Sequence, residues 1–242
     1  MSDPDGQREP GPQGPSTIPA AGDPQLQLAV ELTHCASVES LVDEPGLMWW
    51  SAMLTARDGE ARDPDTTGVA VVTASLLVVD SPACEDPGLD LDNISVELGR
   101  LAFAYGEDLN SDGTGGWSSF VGRVLFVEDL TVQPHWRGRR LAPATILVAA
   151  TALGDALQVV VEPAAVSWQP DGGEAEGGGW QDFGFTALGG SDDSAGIYSF
   201  ATSWCSFPAE EIAVAQEMLS SLQFTAEDIA WWREARRSSA AS

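Results

Sequence analysis

The chain has no lysine. Its positive side chains are 11 arginines, set against 37 aspartates and glutamates, for a formal net charge of -26. A surface of that sign repels phosphate backbones, so nucleic acid is not an expected partner. It is compatible with a cationic substrate, and equally with charge that only keeps the protein soluble. Cysteine is scarce. Cys35, Cys84 and Cys205 are too few and too scattered for a disulfide framework or a zinc site, which points to a reducing compartment and to no metal. Long apolar runs are missing too: no window approaches the roughly 18 residues of a membrane span. Residues 1–24 lack a basic stretch followed by an apolar one, so no secretory signal is expected. The expected location is cytoplasmic, with no membrane partner.

What is present is enough for a packed core: 43% apolar residues and nine tryptophans. A chain of 242 residues allows one large domain or two small ones. Residues 1–24 are rich in Pro, Gly and Asp and nearly free of large apolar side chains, so they read as a disordered tail. Residues 25–242 read as a single domain that ends in two helices within 208–237.

Period-2 alternation of Leu26, Leu28, Val30 and Leu32 predicts a half-buried strand at 25–34. Further strands are expected at 47–56 and, from a continuous β-branched run, at 68–80. The stretch 81–90 reads as a loop. Helical spacing of Ile94, Leu98, Leu101, Ala102 and Tyr105 predicts a helix over 92–107, capped by Asp92 or Asn93. Asp108, Asn110, Asp112 and Gly113 match the first half of a calcium loop, but the bidentate glutamate position is Ser119, so a solvated turn is expected instead. After it come strands at 157–166 and 196–204, separated by an acidic loop at 168–179. The helices of 208–237 follow. Pro208, Glu210 and Glu211 start the first, and Thr225 and Asp228 make a capping-box-like start to the second.

The densest positive patch lies in the middle of the chain. Residues 123–132 alternate, so Val124, Phe126, Glu128, Leu130 and Val132 share one face if the strand is regular. Pro134 ends the strand. Arg137, Arg139 and Arg140 then precede a helix over about 141–153 that is apolar all round and therefore buried against a sheet. Pro143 fits its first turn and Gly154 its C-terminal cap. Strand, short loop, buried helix and strand make a βαβ unit with two parallel strands. Helix N-termini present unpaired N–H groups and about half a positive charge. Three arginines beside such a terminus suit an anion, phosphate above all, although salt bridges to the chain's many carboxylates would use the same side chains.

The run VEDLTVQPHWRGRRLA, through Glu128, Val132, Pro134, Arg137, Gly138, Leu141 and Ala142, resembles motif A of the GNAT superfamily, the GCN5-related N-acetyltransferases. The later blocks LQVVVEP and WQDFGF, through Trp180, Gly184 and Phe185, resemble the strand and aromatic turn that follow it in that family. The resemblance implies an α/β (α+β) fold with a mixed, mostly antiparallel sheet, a splayed parallel pair and helices on both faces. It implies acetyl-CoA as co-substrate. The pantetheine would meet main-chain groups near Leu130 and Val132, and the pyrophosphate would lie on the amides and side chains of Arg137, Gly138, Arg139, Arg140, Leu141 and Ala142. It implies direct attack of a primary amine on the thioester; the acidic composition is what makes a cationic acceptor compatible. The candidate base is Glu128 or Asp129, and a bulge in this strand, common in the family, decides which one faces the cleft.

Two positions depart from the family pattern. Arg140 stands where the family's first motif glycine falls, and Trp180 where it often has a tyrosine acid. Tyr198 substitutes as acid only if the fold brings it close. The alternative reading is a catalytically inactive CoA-binding or protein-interaction module of the same fold.

Overall fold

The computed structural model describes residues 23–35, 46–59, 68–84, 87–111, 117, 122–154, 157–162, 179–188, 197–200 and 209–239. The expected disordered tail, up to residue 22, and the acidic loop, from 168 to 178, lie outside the described residues.

Among the described residues seven strands form one sheet: β1 (Leu26–His34), β2 (Leu47–Asp58), β3 (Val69–Asp80), β4 (Arg123–Val132), β5 (Leu157–Val161), β6 (Thr186–Ala187) and β7 (Tyr198–Phe200). Their order across the sheet is β1-β2-β3-β4-β5-β7-β6. Every neighbouring pair is antiparallel except β4 and β5, which run parallel as a strand–helix–strand unit requires. The fold is thus mixed α/β, with a mostly antiparallel sheet and helices on both faces.

The helices are α1 (Pro87–Ile94), α2 (Val96–Ser111), α3 (Leu141–Leu153), α4 (Ala209–Ser221) and α5 (Ala226–Ser239). On one face of the sheet, Leu76, Val78, Leu125, Val127, Leu130, Val132, Val159 and Val161 pack with side chains of α3, α4 and α5. On the other, Leu77, Val79, Val124, Phe126 and Val160 pack with Leu91 of α1 and with Leu98, Leu101 and Tyr105 of α2. Each large apolar side chain buried this way contributes roughly 1.5–3 kcal/mol. The apolar helix α3 is therefore held by packing, with Pro143 in its first turn and the Gly154 N–H closing its end on the Thr151 carbonyl. Among the described residues no helix is long and apolar enough to cross a membrane.

Several expectations change. The segment expected as one helix over 92–107 is two, α1 and α2, and α1 begins inside the stretch read as a loop. Ser95, not Asp92 or Asn93, caps the second: its Oγ accepts from the Leu98 N–H at 3.1 Å. Because α2 runs on to Ser111, Asp108 and Asn110 are helical rather than parts of a turn, while residues 112–116 lie outside the described residues.

A further change concerns β4, which is not a regular strand. Ser75 of β3 faces Asp129 and Leu76 faces Val127, so Glu128 is the extra residue of a bulge. Val124 and Phe126 therefore point toward α1 and α2, whereas Leu130 and Val132 point toward α3 with Leu125 and Val127. The five side chains expected on one face are divided between two.

Candidate functional site

The parallel pairing of β4 and β5 ends at Val127 and Val161, where β5 itself ends. β4 continues to Val132, paired only with β3 among the described strands. Its Asp129–Val132 backbone has one edge on β3 and the other beyond the end of the β4–β5 pairing. Backbone N–H and C=O groups on a strand edge can pair with a peptide-like ligand.

Glu128 stands at the bulge. Its Oε2 accepts from the Ser75 hydroxyl at 3.5 Å, and Ser75 alternates with Leu77 and Val79 on the α1–α2 face. Glu128 is half-buried and Asp129 is exposed. The bulge thus turns both carboxylates away from the α3 core, with Glu128 the more enclosed. Tyr198 lies in β7 opposite Val161, in the same row across the sheet as Val127. That row places its Cα two strands from β4, roughly 10 Å away; its side chain lies outside the described part of the structure. Trp180 is 3% exposed and packs edge-on against Phe185 at 4.8 Å, so it belongs to the core.

Past β4 the chain makes a tight turn at Pro134–Trp136 and reaches Gly138, which has φ 76. A Cβ added there would meet no atom within 4 Å, so the space beside this backbone is open. Arg140, with φ 58, is the N-cap of α3 and the one non-glycine residue of positive φ among those described. A left-handed conformation costs a side-chain-bearing residue about 1–2 kcal/mol, which is the physical reason a glycine suits this place. Arg140→Gly is expected to be more stable than Arg140→Ala by about 1 kcal/mol, although alanine usually wins near helices. Chemical denaturation of the two variants measures this; equal stabilities would mean that position 140 is not left-handed.

The three arginines have different partners. Arg137 donates through Nε to the Val132 carbonyl at 3.3 Å and is half-buried. The Arg140 stem lies along Gly179, and its guanidinium meets Asp182 at 2.9 Å; both side chains are more than half exposed. Such an exposed pair contributes at most about 1 kcal/mol and leaves the group free to exchange partners. Arg139 differs. It forms a two-pronged pair with fully buried Asp228 of α5, at 2.7 and 3.0 Å, and its guanidinium lies 4.6 Å from the centre of the Trp136 ring. Of the two uses expected for Arg139, a phosphate or one of the chain's own carboxylates, its side chain makes the second here.

Asp228 also accepts from His135 Nε2 at 2.7 Å and from the Thr225 N–H at 2.8 Å. Burial alone would push its pKa up, but Arg139, the Thr225 backbone, His135 and the Thr225 hydroxyl outweigh it and hold it at about 2. It is therefore a carboxylate, and His135 is the donor in that bond. The capping box is present in full, since the Asp228 N–H reaches Thr225 Oγ1 at 3.2 Å. That signal marked Asp228 as a helix-start residue. Its second role, gripping Arg139 from 89 positions away, had no local signal.

Leu141 and Ala142 open α3, where the first N–H groups have no partner within the helix. The amides from Gly138 to Ala142, the open space at Gly138 and the Arg137 and Arg140 side chains make up the anion-binding potential of this corner. Compared with protein-family models, curated proteins and solved structures, the chain matches none of them.

Proposed function

We propose that this protein is an acyl-CoA-dependent N-acetyltransferase of GNAT type, moving an acetyl group from acetyl-CoA to a primary amine. The observation that carries the reading is the arrangement around β4: a bulge at Glu128, parallel pairing that stops at Val127 and Val161, and an arginine loop entering α3. The sheet order and the single parallel pair fit the same reading. The diphosphate would rest on the amides of Gly138 to Ala142, with Arg137 and Arg140 beside it. The pantetheine would run along β4 near Leu130 and Val132, past the point where the β4–β5 pairing ends.

Chemically the site needs little else. The amine nitrogen bonds to the thioester carbonyl carbon, the carbon–sulfur bond breaks, and the thiolate takes up a proton. Glu128 receives the ammonium proton, directly or through a water that it orients. It stands on the α1–α2 face of the sheet, opposite the helix α3 that would hold the phosphates, so donor and acceptor would approach from two sides.

Acetyl-CoA at about 100 times its dissociation constant should add roughly 2.7 kcal/mol to folding stability, read as a thermal shift. No shift at millimolar ligand would sink the reading. Glu128→Gln should lower turnover about a hundredfold with acetyl-CoA affinity unchanged; undiminished turnover would remove Glu128 from the role of base. A second reading, a non-catalytic CoA-binding or interaction module, is favoured by the buried Trp180 and by the carboxylates on Arg139 and Arg140. CoA binding without turnover against any of a panel of amines would select it.

A further inference from the structure

We infer that Asp228 is a positioning residue for the anion loop: α5 sets the backbone that receives the diphosphate, acting through Arg139 and His135. The inference rests on the proposed acetyl-CoA reading. A capping box needs only one bond from the Asp228 carboxylate to the Thr225 N–H, and a neutral amide would serve there as well. Asp228 does far more. Its Oδ1 accepts from Arg139 Nη2 and His135 Nε2, both at 2.7 Å, and its Oδ2 accepts from Arg139 Nη1 at 3.0 Å and the Thr225 N–H at 2.8 Å. A single carboxylate, 0% exposed, grips the loop at residues 135 and 139, on either side of Gly138.

The surrounding rings reinforce the grip. Trp231 of α5 stacks on His135 at 5.5 Å with an interplanar angle of 7°. Trp136 meets Trp231 edge-on at 5.6 Å and Phe224 at 5.8 Å, and carries the Arg139 guanidinium on its face. Gly138, between these anchors, and Arg140, just after them, have positive φ and turn the chain into α3. Arg139 is a strut: its charge is spent on the buried carboxylate, and its effect on a ligand is exerted through the backbone on both sides of it.

The test compares two ligands on the full chain, at a temperature where each variant is folded. Acetyl-CoA carries the diphosphate and S-acetylpantetheine does not. Asp228→Asn should weaken acetyl-CoA binding roughly tenfold or more, because a misplaced loop mis-sets several contacts at once, while S-acetylpantetheine binding stays unchanged. Arg139→Lys keeps a cation beside the carboxylate but loses the two-pronged geometry. It should show the same selective loss, and it serves if the first variant does not fold. The double variant should be no worse than the weaker single, since both act along one path. Wild-type affinity in the variants, an equal loss for both ligands, or additive losses in the double variant would overturn the inference. Failure of the wild-type protein to bind acetyl-CoA is a separate result, and it removes the proposed function together with the inference built on it.

Discussion

Asp228→Asn is expected to lower folding stability by about 3 kcal/mol, read by chemical denaturation at pH 7. Removing one partner of a buried ion pair costs roughly 3–5 kcal/mol, because the other charge is left without compensation. The low end applies, since the Arg139 side chain is 29% exposed and rehydrates in part. Asparagine keeps a carbonyl for the Thr225 N–H, so the cap itself survives. The difference from wild type should depend on pH in one direction. Asp228 is held at about 2, below its ordinary value of 3.8. A lowered carboxylate pKa means that the folded state favours the charged form, so the stabilisation is complete above the unfolded value. It fades as pH falls from about 4 toward 2, by about 2 kcal/mol. The gap between wild type and variant should thus shrink as pH falls below about 4, the other carboxylates cancelling in the comparison. A gap that stays constant down to pH 2 would mean that Asp228 is not held as a carboxylate in the fold.

A one-residue deletion in β4 is expected to be tolerated at Glu128 and not at Phe126. Glu128 is the residue that β3 leaves unmatched. Without it Val127 and Leu130 become second neighbours on a regular strand, and both still face α3. Stability should change by no more than about 1 kcal/mol, as at a surface position, while the proposed turnover disappears with bulge and base together. Deleting Phe126 instead removes a fully buried ring, at a cost of roughly 3–5 kcal/mol. It also lets the strand become regular with Val127 turned to the wrong face and Glu128 driven into the α3 core, where an unpaired carboxylate is costly. The sum reaches the whole stability of an ordinary domain, about 5–15 kcal/mol, so no cooperative unfolding transition is expected. Circular dichroism and denaturation of the two variants decide it; similar stabilities would mean that the bulge is not at Glu128.

Both outcomes turn on features that were only half legible. Alternation from Arg123 to Val132 announced a strand, but a single sequence carries no mark of where β3 skips a residue. The capping pattern at Thr225 and Asp228 announced a helix start, and nothing near it announced Arg139. The break at Ser95 was more accessible: a serine three residues before Leu98 is a helix-start signal that the apolar spacing of 92–107 overrode. Positive φ at Arg140 is the reverse case, since the resemblance marked the position as one for glycine and the backbone there adopts the conformation that glycine favours.

By itself the sequence determined the strand–loop–helix of residues 123–154, the strands before it and the two helices that end the described chain. Periods of 2 and 3.6 residues, caps and prolines act between neighbours in the chain, and such signals survive without a fold. Only the tertiary structure decided which face Glu128 occupies and which carboxylate Arg139 holds. The first depends on register against a strand some 50 residues earlier, with Ser75 and Glu128 53 positions apart. The second depends on a contact across 89 positions, and contacts of that span exist only once the sheet and its covering helices have closed on each other.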